Sequence, residues 1–145
     1  MTRITVIDGH GGKLGSQLVK AITDKYPDLP LTAVGTNSAA TAAMLKCGAK
    51  IGATGENAVL VACKKSDVII GPIGIVIADA LYGEVTPAMA VAVGQADAVR
   101  ILLPVNKCDN LIAGTDNLST GQILSDAMEK LSAVLKTPVH TNFQP

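Results

Sequence analysis

An apolar run, Ile4-Thr5-Val6-Ile7, passes straight into Asp8-Gly9-His10-Gly11-Gly12-Lys13-Leu14-Gly15, and no other feature constrains the fold so strongly. A strand that ends in glycines at 9, 12 and 15 and leads into a helix-like stretch predicts the opening of a dinucleotide-binding α/β domain. One glycine allows the tight turn, one lets backbone N–H groups approach a pyrophosphate, and one lets the helix pack closely on its strand. The helix then directs its unpaired N–H groups and the positive end of its dipole at an anion.

The rest of the chain alternates in the same way. Leu14, Leu18, Ile22 and Tyr26 repeat every four residues and predict a helix that stops at Pro27. Leu31–Val34 reads as a second strand, and Asn37 or Ser38 as the cap of an Ala-rich helix running to Lys46. Ala49–Ala53 fits a short third strand, Glu56–Lys64 a helix, and Asp67–Ile70 a buried strand closed by Gly71-Pro72. Thr86-Pro87, a capping hydroxyl followed by proline, starts a helix that ends near Gln95. Val99–Leu103 is the next strand and Leu111–Ala113 a further short one. Ser119 to Gln122 matches a capping box for the last helix, with Leu124, Met128, Leu131 and Leu135 as its apolar stripe. Right-handed crossovers turn this order into an α/β, three-layer, doubly wound, mainly parallel sheet of Rossmann-like type, strand order 3-2-1-4-5. Residues 1–136 read as one domain and 137–145 as an irregular tail.

Composition narrows the partners. Apolar residues make up 48% of the chain, yet there is no Trp, one Phe (Phe143) and two Tyr (Tyr26, Tyr82), so the core must be aliphatic, as suits a parallel sheet covered on both faces. Twelve positive residues balance twelve negative ones, and no basic cluster exceeds Lys64-Lys65, which argues against nucleic acid. The longest uncharged apolar stretch, Val68 to Ala78, is interrupted by Gly71, Pro72 and Gly74. It falls far short of the roughly 20 residues a membrane helix needs, so no membrane partner and a cytoplasmic location are expected. Cys47, Cys63 and Cys108 fit neither a disulfide framework nor a zinc site, and no metal-ligand spacing occurs.

The spacing Gly9-x-x-Gly12-x-x-Gly15 resembles the turn of dihydrodipicolinate reductases and of the NAD(P)-binding short-chain dehydrogenase superfamily. More loosely, the resemblance extends through Gly48–Asn57 and Lys65–Pro72, so that it covers residues 3 to 72. It implies a phosphate or nucleotide cradle at Gly9, His10, Gly11, Gly12, Lys13, Leu14 and Gly15. Thr36, Asn37 and Ser38 would meet the ribose end, and Gly71 and Pro72 would border the cofactor. Domains selective for NAD usually carry Asp or Glu at the end of the second strand. This chain has Gly35-Thr36-Asn37-Ser38 there, and no nearby Arg to clamp a 2′-phosphate. The balance favours NADP(H) slightly, with another phosphorylated ligand left open. The dehydrogenase Tyr-x-x-x-Lys pair is absent, because Tyr82 is followed at that spacing by Thr86, so the question of enzymatic activity stays open.

A closer resemblance covers nearly the whole chain. Val6-Ile7-Asp8-Gly9, Gly35-Thr36-Asn37, Ala53–Ala58, Gly71-Pro72-Ile73-Gly74 and Gly83-Glu84-Val85-Thr86-Pro87 are similar to a family of small bacterial proteins of unknown function. That likeness implies a single cytosolic domain with a ligand crevice at its strand ends, and no particular chemistry.

Several alternatives stand beside the nucleotide cradle. The glycine turn is otherwise architectural, in a non-catalytic ligand-sensing or scaffold subunit. A flavodoxin-like site for flavin mononucleotide is disfavoured by the scarcity of aromatic rings. Asp8 either caps the turn or repels a pyrophosphate, and His10 donates to a phosphate, shuttles a proton or simply faces solvent. Asn106-Lys107-Cys108-Asp109 should reach the crevice rim, where Cys108 would need an activating partner to act as a nucleophile. Glu56, Asp79 and Glu84 read as lone acids, and His140 belongs to the tail. Ile73–Leu81 and Pro87–Ala96 are apolar almost all round, which suggests either a homo-oligomer interface, most simply a homodimer, or alanines lying under neighbouring segments. Gly12→Glu is expected to abolish ligand binding while leaving the fold intact.

Overall fold

The computed structural model describes residues 1–105 and 109–137. Along the chain run β1 (Ile4–Asp8), α1 (Lys13–Lys25), β2 (Leu31–Gly35), α2 (Ser38–Lys46), β3 (Ile51–Thr54), α3 (Glu56–Lys65) and β4 (Val68–Pro72). A 3₁₀ turn (Ile73–Val76), α4 (Pro87–Gln95), β5 (Val99–Leu103) and α5 (Thr120–Lys136) complete it. All neighbouring strands are parallel and their order is β3-β2-β1-β4-β5, as the alternating pattern predicts.

The two periodicities explain the layers. Side chains alternate across each strand, so Ile4, Val6, Val68 and Ile70 meet Leu18, Ile22, Met44 and Leu131 from α1, α2 and α5. Ile7, Val34 and Ile69 point the other way, onto Val59 and Cys63 of α3 and Met89, Ala90 and Val93 of α4. Every residue of β1 is buried, because it pairs on both sides and is covered on both faces. No aromatic side chain is buried among the described residues. The chain turns back across the sheet between β1 and β4, and their carboxyl ends flank the switch point at which open α/β sheets form a crevice.

Three expectations are corrected. Leu111–Ala113 makes no strand: no sheet edge pairs with it, and Leu111 is 99% exposed. The buried face of α5 consists of Ile123, Ala127, Leu131 and Val134, with Leu124, Met128 and Leu135 packed at its margin, so the stripe is rotated by about one residue. The third strand starts two residues late and lies at the sheet edge, where Ile51 is 60% exposed. The apolar segment after β4 is used mostly within the chain, since Ile75, Leu81, Val85, Met89, Ala90 and Val93 are all buried in the second core. The capping predictions hold. Asn37 accepts from Ala40 N–H, Thr86 from Met89 N–H, and Ser119 and Gln122 form a reciprocal box.

Candidate functional site

The turn after β1 is organised from below by Asp8, whose side chain is buried. Its Oδ1 accepts from Gly9 N–H at 2.8 Å and its Oδ2 from Gly15 N–H at 2.7 Å. Gly12 is the N-cap of α1 and has no side chain to offer, so Asp8 caps the helix from the preceding strand. Burial pushes its carboxyl above the ordinary aspartate range, against the pull of these two N–H groups.

Each glycine of the 9-12-15 series meets a packing neighbour. A Cβ on Gly12 would lie 2.8 Å from Ala40 Cα, and its φ of +72° is left-handed. A Cβ on Gly15 would lie 2.6 Å from Met44 Sδ, and one on Gly9 2.5 Å from Thr36 Oγ1. Gly11 differs, for nothing lies within 4 Å of its absent Cβ. The expectation that Gly12→Glu would stay folded is therefore corrected: the new side chain would be driven into the backbone of α2.

The backbone donors divide likewise. Gly12 N–H donates to Gly9 O and Ser16 N–H to Gly12 O. Among the described residues, the N–H groups of Gly11, Lys13 and Leu14 have no protein acceptor. They border a cleft of about 430 Å³ bounded by residues 8–14, Gln17, Val105 beyond β5 and Thr120 at the start of α5.

On the other side of the turn stands Glu84, and its reading as a lone acid is corrected. Glu84 Oε1 accepts from His10 N–H at 2.9 Å, from Thr36 Oγ1 at 2.7 Å and from Asn37 Nδ2 at 2.7 Å. Its Oε2 lies 3.6 Å from His10 Nε2, and the His10 ring is tilted against Tyr82 with centroids 5.7 Å apart. Burial opposes the charge of Glu84, but the bonds from His10, Thr36 and Asn37, with the charge of His10, hold its carboxyl below the ordinary glutamate range. Nothing near position 84 in the sequence signals this partnership. It arises because the segment after β4 folds over the ends of β1 and β2.

The predicted site residues thus fall into groups. Gly9, His10, Gly11, Gly12, Lys13 and Leu14 line one cleft, while Gly15 sits beneath it, bonded to Asp8. Thr36 and Asn37 gather on Glu84, and Ser38 is the first residue of α2. Gly71 and Pro72 are buried at the end of β4, Gly71 tight against Ile7 O, and neither borders that cleft. Burial pushes the Cys63 thiol up to about 11, which leaves it inert, and Cys47 caps the end of α2. Asn106, Lys107, Cys108 and His140 lie outside the described residues, as does the predicted tail beyond Thr137. Among the described residues no cluster of three or more His, Cys, Asp or Glu could hold a metal. None of their helices is long and apolar enough to cross a membrane.

Residues 3–136 match the family model described as Domain of unknown function (DUF3842), and the chain belongs to that family. No curated protein matches it. Among solved structures, a dodecameric FMN-dependent UbiX-like decarboxylase from Escherichia coli O157:H7 is similar over 100% of both chains, at 13% identity and a TM-score of 0.44. That likeness is too distant to bear on ligand or activity.

Proposed function

We propose that this domain binds a small phosphorylated molecule, of the nucleotide class, in the cleft across the glycine turn. The observation that carries this is the trio of unpaired N–H groups at Gly11, Lys13 and Leu14. His10 and Gly12 both have left-handed φ, 51° and 72°, and such alternation curls successive N–H groups into an anion-binding concavity. The dipole of α1 and the Lys13 ammonium add positive potential at the same place. A volume of about 430 Å³ lies within the range of small-molecule sites. Asp8 does not cancel this potential outright, because both of its oxygens are engaged below the turn. The slight preference for NADP(H) rests on a missing acid at the end of β2. Glu84 brings one there in space, so NADP(H) has no advantage over NADH or ATP.

Isothermal titration with NADPH, NADH, ATP and FMN tests the proposal. One phosphorylated ligand should bind in the micromolar range, and Gly11→Asp, which puts a carboxylate into open space at the cleft, should abolish binding with unchanged circular dichroism. Absence of binding by all four would support the second reading, a non-catalytic scaffold with an architectural turn. That reading draws on the Asp8 cap and on the packing of Gly9, Gly12 and Gly15. We also infer self-association through the outward face of α4, where Ala88, Val91, Gly94 and Gln95 carry no charge and Val91 is 53% exposed. Light scattering after gel filtration should report more than one copy.

A further inference from the structure

Three donors from two loops converge on a single oxygen of Glu84, and the cradle they form does not depend on that oxygen for its shape. Asn37 is fixed independently: its Oδ1 accepts from Ala40 N–H at 2.8 Å, and its Nδ2 also donates to His10 O at 2.8 Å. Thr36 N–H is tied to Asp8 O at 3.0 Å, in continuation of the sheet. The backbone of His10 and Thr36 and the Asn37 amide are thus held by bonds that do not involve Glu84, and the three donors are presented to one point. The His10 ring nitrogen stands near the second carboxylate oxygen. Such a set of preorganised donors suits any two-oxygen anion, and the protein's own carboxylate is the one it holds.

The segment that delivers Glu84 is unusual. Asp79, Leu81 and Tyr82 all have left-handed φ, at 65°, 57° and 55°, followed by Gly83 at 86°. Side chains other than glycine adopt that conformation at a cost, and runs of it persist where the surroundings enforce them, often at functional sites. Leu81 and Val85, each 1% exposed, pin the segment on either side, while Tyr82 between them is 96% exposed. The backbone is held, but the Glu84 side chain is 28% exposed and borders solvent. Outward rotation of this side chain would leave the buried anchors Leu81 and Val85 in place.

We propose that the His10–Thr36–Asn37 cradle is a second oxyanion subsite, beside the glycine-turn cleft, and that Glu84 is its resident occupant, displaced by a phosphate or carboxylate group of a ligand. Displacement would leave Glu84 in water and transfer its hydrogen bonds to the incoming group. The subsite goes beyond the phosphate cleft and uses different donors, so each stands or fails separately.

The test is a ¹⁵N–¹H NMR titration of the wild type and of Glu84→Ala with inorganic phosphate and with acetate. Removal of the occupant should tighten binding of at least one anion tenfold or more, with shifts at the His10 amide and the Asn37 side-chain NH₂. Equal or weaker binding in Glu84→Ala, or no shift at those groups, would overturn the subsite and make Glu84 a structural clamp. Shifts confined to Gly11, Lys13 and Leu14 would also overturn it while leaving the phosphate cleft intact. If Glu84→Ala does not fold, Glu84→Gln serves: its neutral amide keeps the shape but competes less well, so the same shifts should occur at lower phosphate than in the wild type. Their absence would count equally against the subsite.

Discussion

Replacing Gly12 by alanine, with Gly11→Ala as its control, separates the glycines that build the turn from the one that borders the cleft. At position 12 two costs act together. A left-handed φ of +72° penalises any Cβ, by about 1–2 kcal/mol. The added carbon would also stand 2.8 Å from Ala40 Cα and 2.9 Å from Ala40 O, both backbone atoms of α2 that cannot rotate away. Overpacking of that kind costs roughly 1–3 kcal/mol. The combined loss, about 2–5 kcal/mol, is a large part of the roughly 5–15 kcal/mol typical of a domain. Gly11 has no left-handed φ and open space around its missing Cβ, so Gly11→Ala should change stability by no more than about 1 kcal/mol in either direction. Urea unfolding followed by circular dichroism, with m-values compared to confirm a common denatured state, reads both. A loss below about 1 kcal/mol for Gly12→Ala, or equal losses for the two variants, would refute the division.

Asp8→Asn should cost about 1–3 kcal/mol, because an amide offers one acceptor where Gly9 and Gly15 require two. The pKa of Asp8 is raised by burial, so the folded state holds its proton more tightly than the unfolded state. This pH-dependent contribution is therefore full below the ordinary aspartate value of 3.8 and lost as pH rises through the folded value; Asp8→Asn should flatten that part of the stability–pH profile. Glu84 runs the other way, with stability present above the ordinary glutamate value of 4.5 and lost as pH falls through its depressed folded value, and carboxyl NMR titration should show the two displaced in opposite senses. In α5, Leu131→Ala should cost about 2–5 kcal/mol, since Leu131 is fully buried, whereas Leu111→Ala should stay within about 0.5 kcal/mol. Equal effects would restore a structural role for residues 111–113.

The strand order was readable because it depends on a coarse pattern. Apolar runs such as Ile4–Ile7 and Val68–Ile70 are buried on both faces, and periodic segments such as Leu14–Ile22 cover them. Chain-local caps were equally plain at Asn37, Thr86 and Ser119, because the bonds close within three residues. Leu111–Ala113 misled for the opposite reason: three apolar residues carry no information about whether a neighbouring strand exists to receive them. The phase of α5 was displaced because Leu124 and Ile123 are both apolar, and only contact with β5 and α1 decides between them. At the site, the glycine spacing pointed to the turn but not to the task of each glycine. Gly12 and Gly11 are adjacent and identical in sequence, and only the left-handed φ of Gly12 and its closeness to α2 distinguish them. Glu84 was visible as an acid but its partners were not, since it lies 74 residues from His10 and the crossover after β4 brings the two together.

The most direct test of the phosphate cleft is a ¹⁵N–¹H NMR titration of the wild-type protein with NADPH, NADH, ATP and FMN in turn. Saturable shifts should centre on the Gly11, Lys13 and Leu14 amides and extend to Gln17 and Thr120, which border the same cleft, while β3 at the far edge stays unmoved. Saturable shifts that leave Gly11, Lys13 and Leu14 untouched, or no shifts with any of the four, would contradict the assignment of this turn as a nucleotide phosphate site.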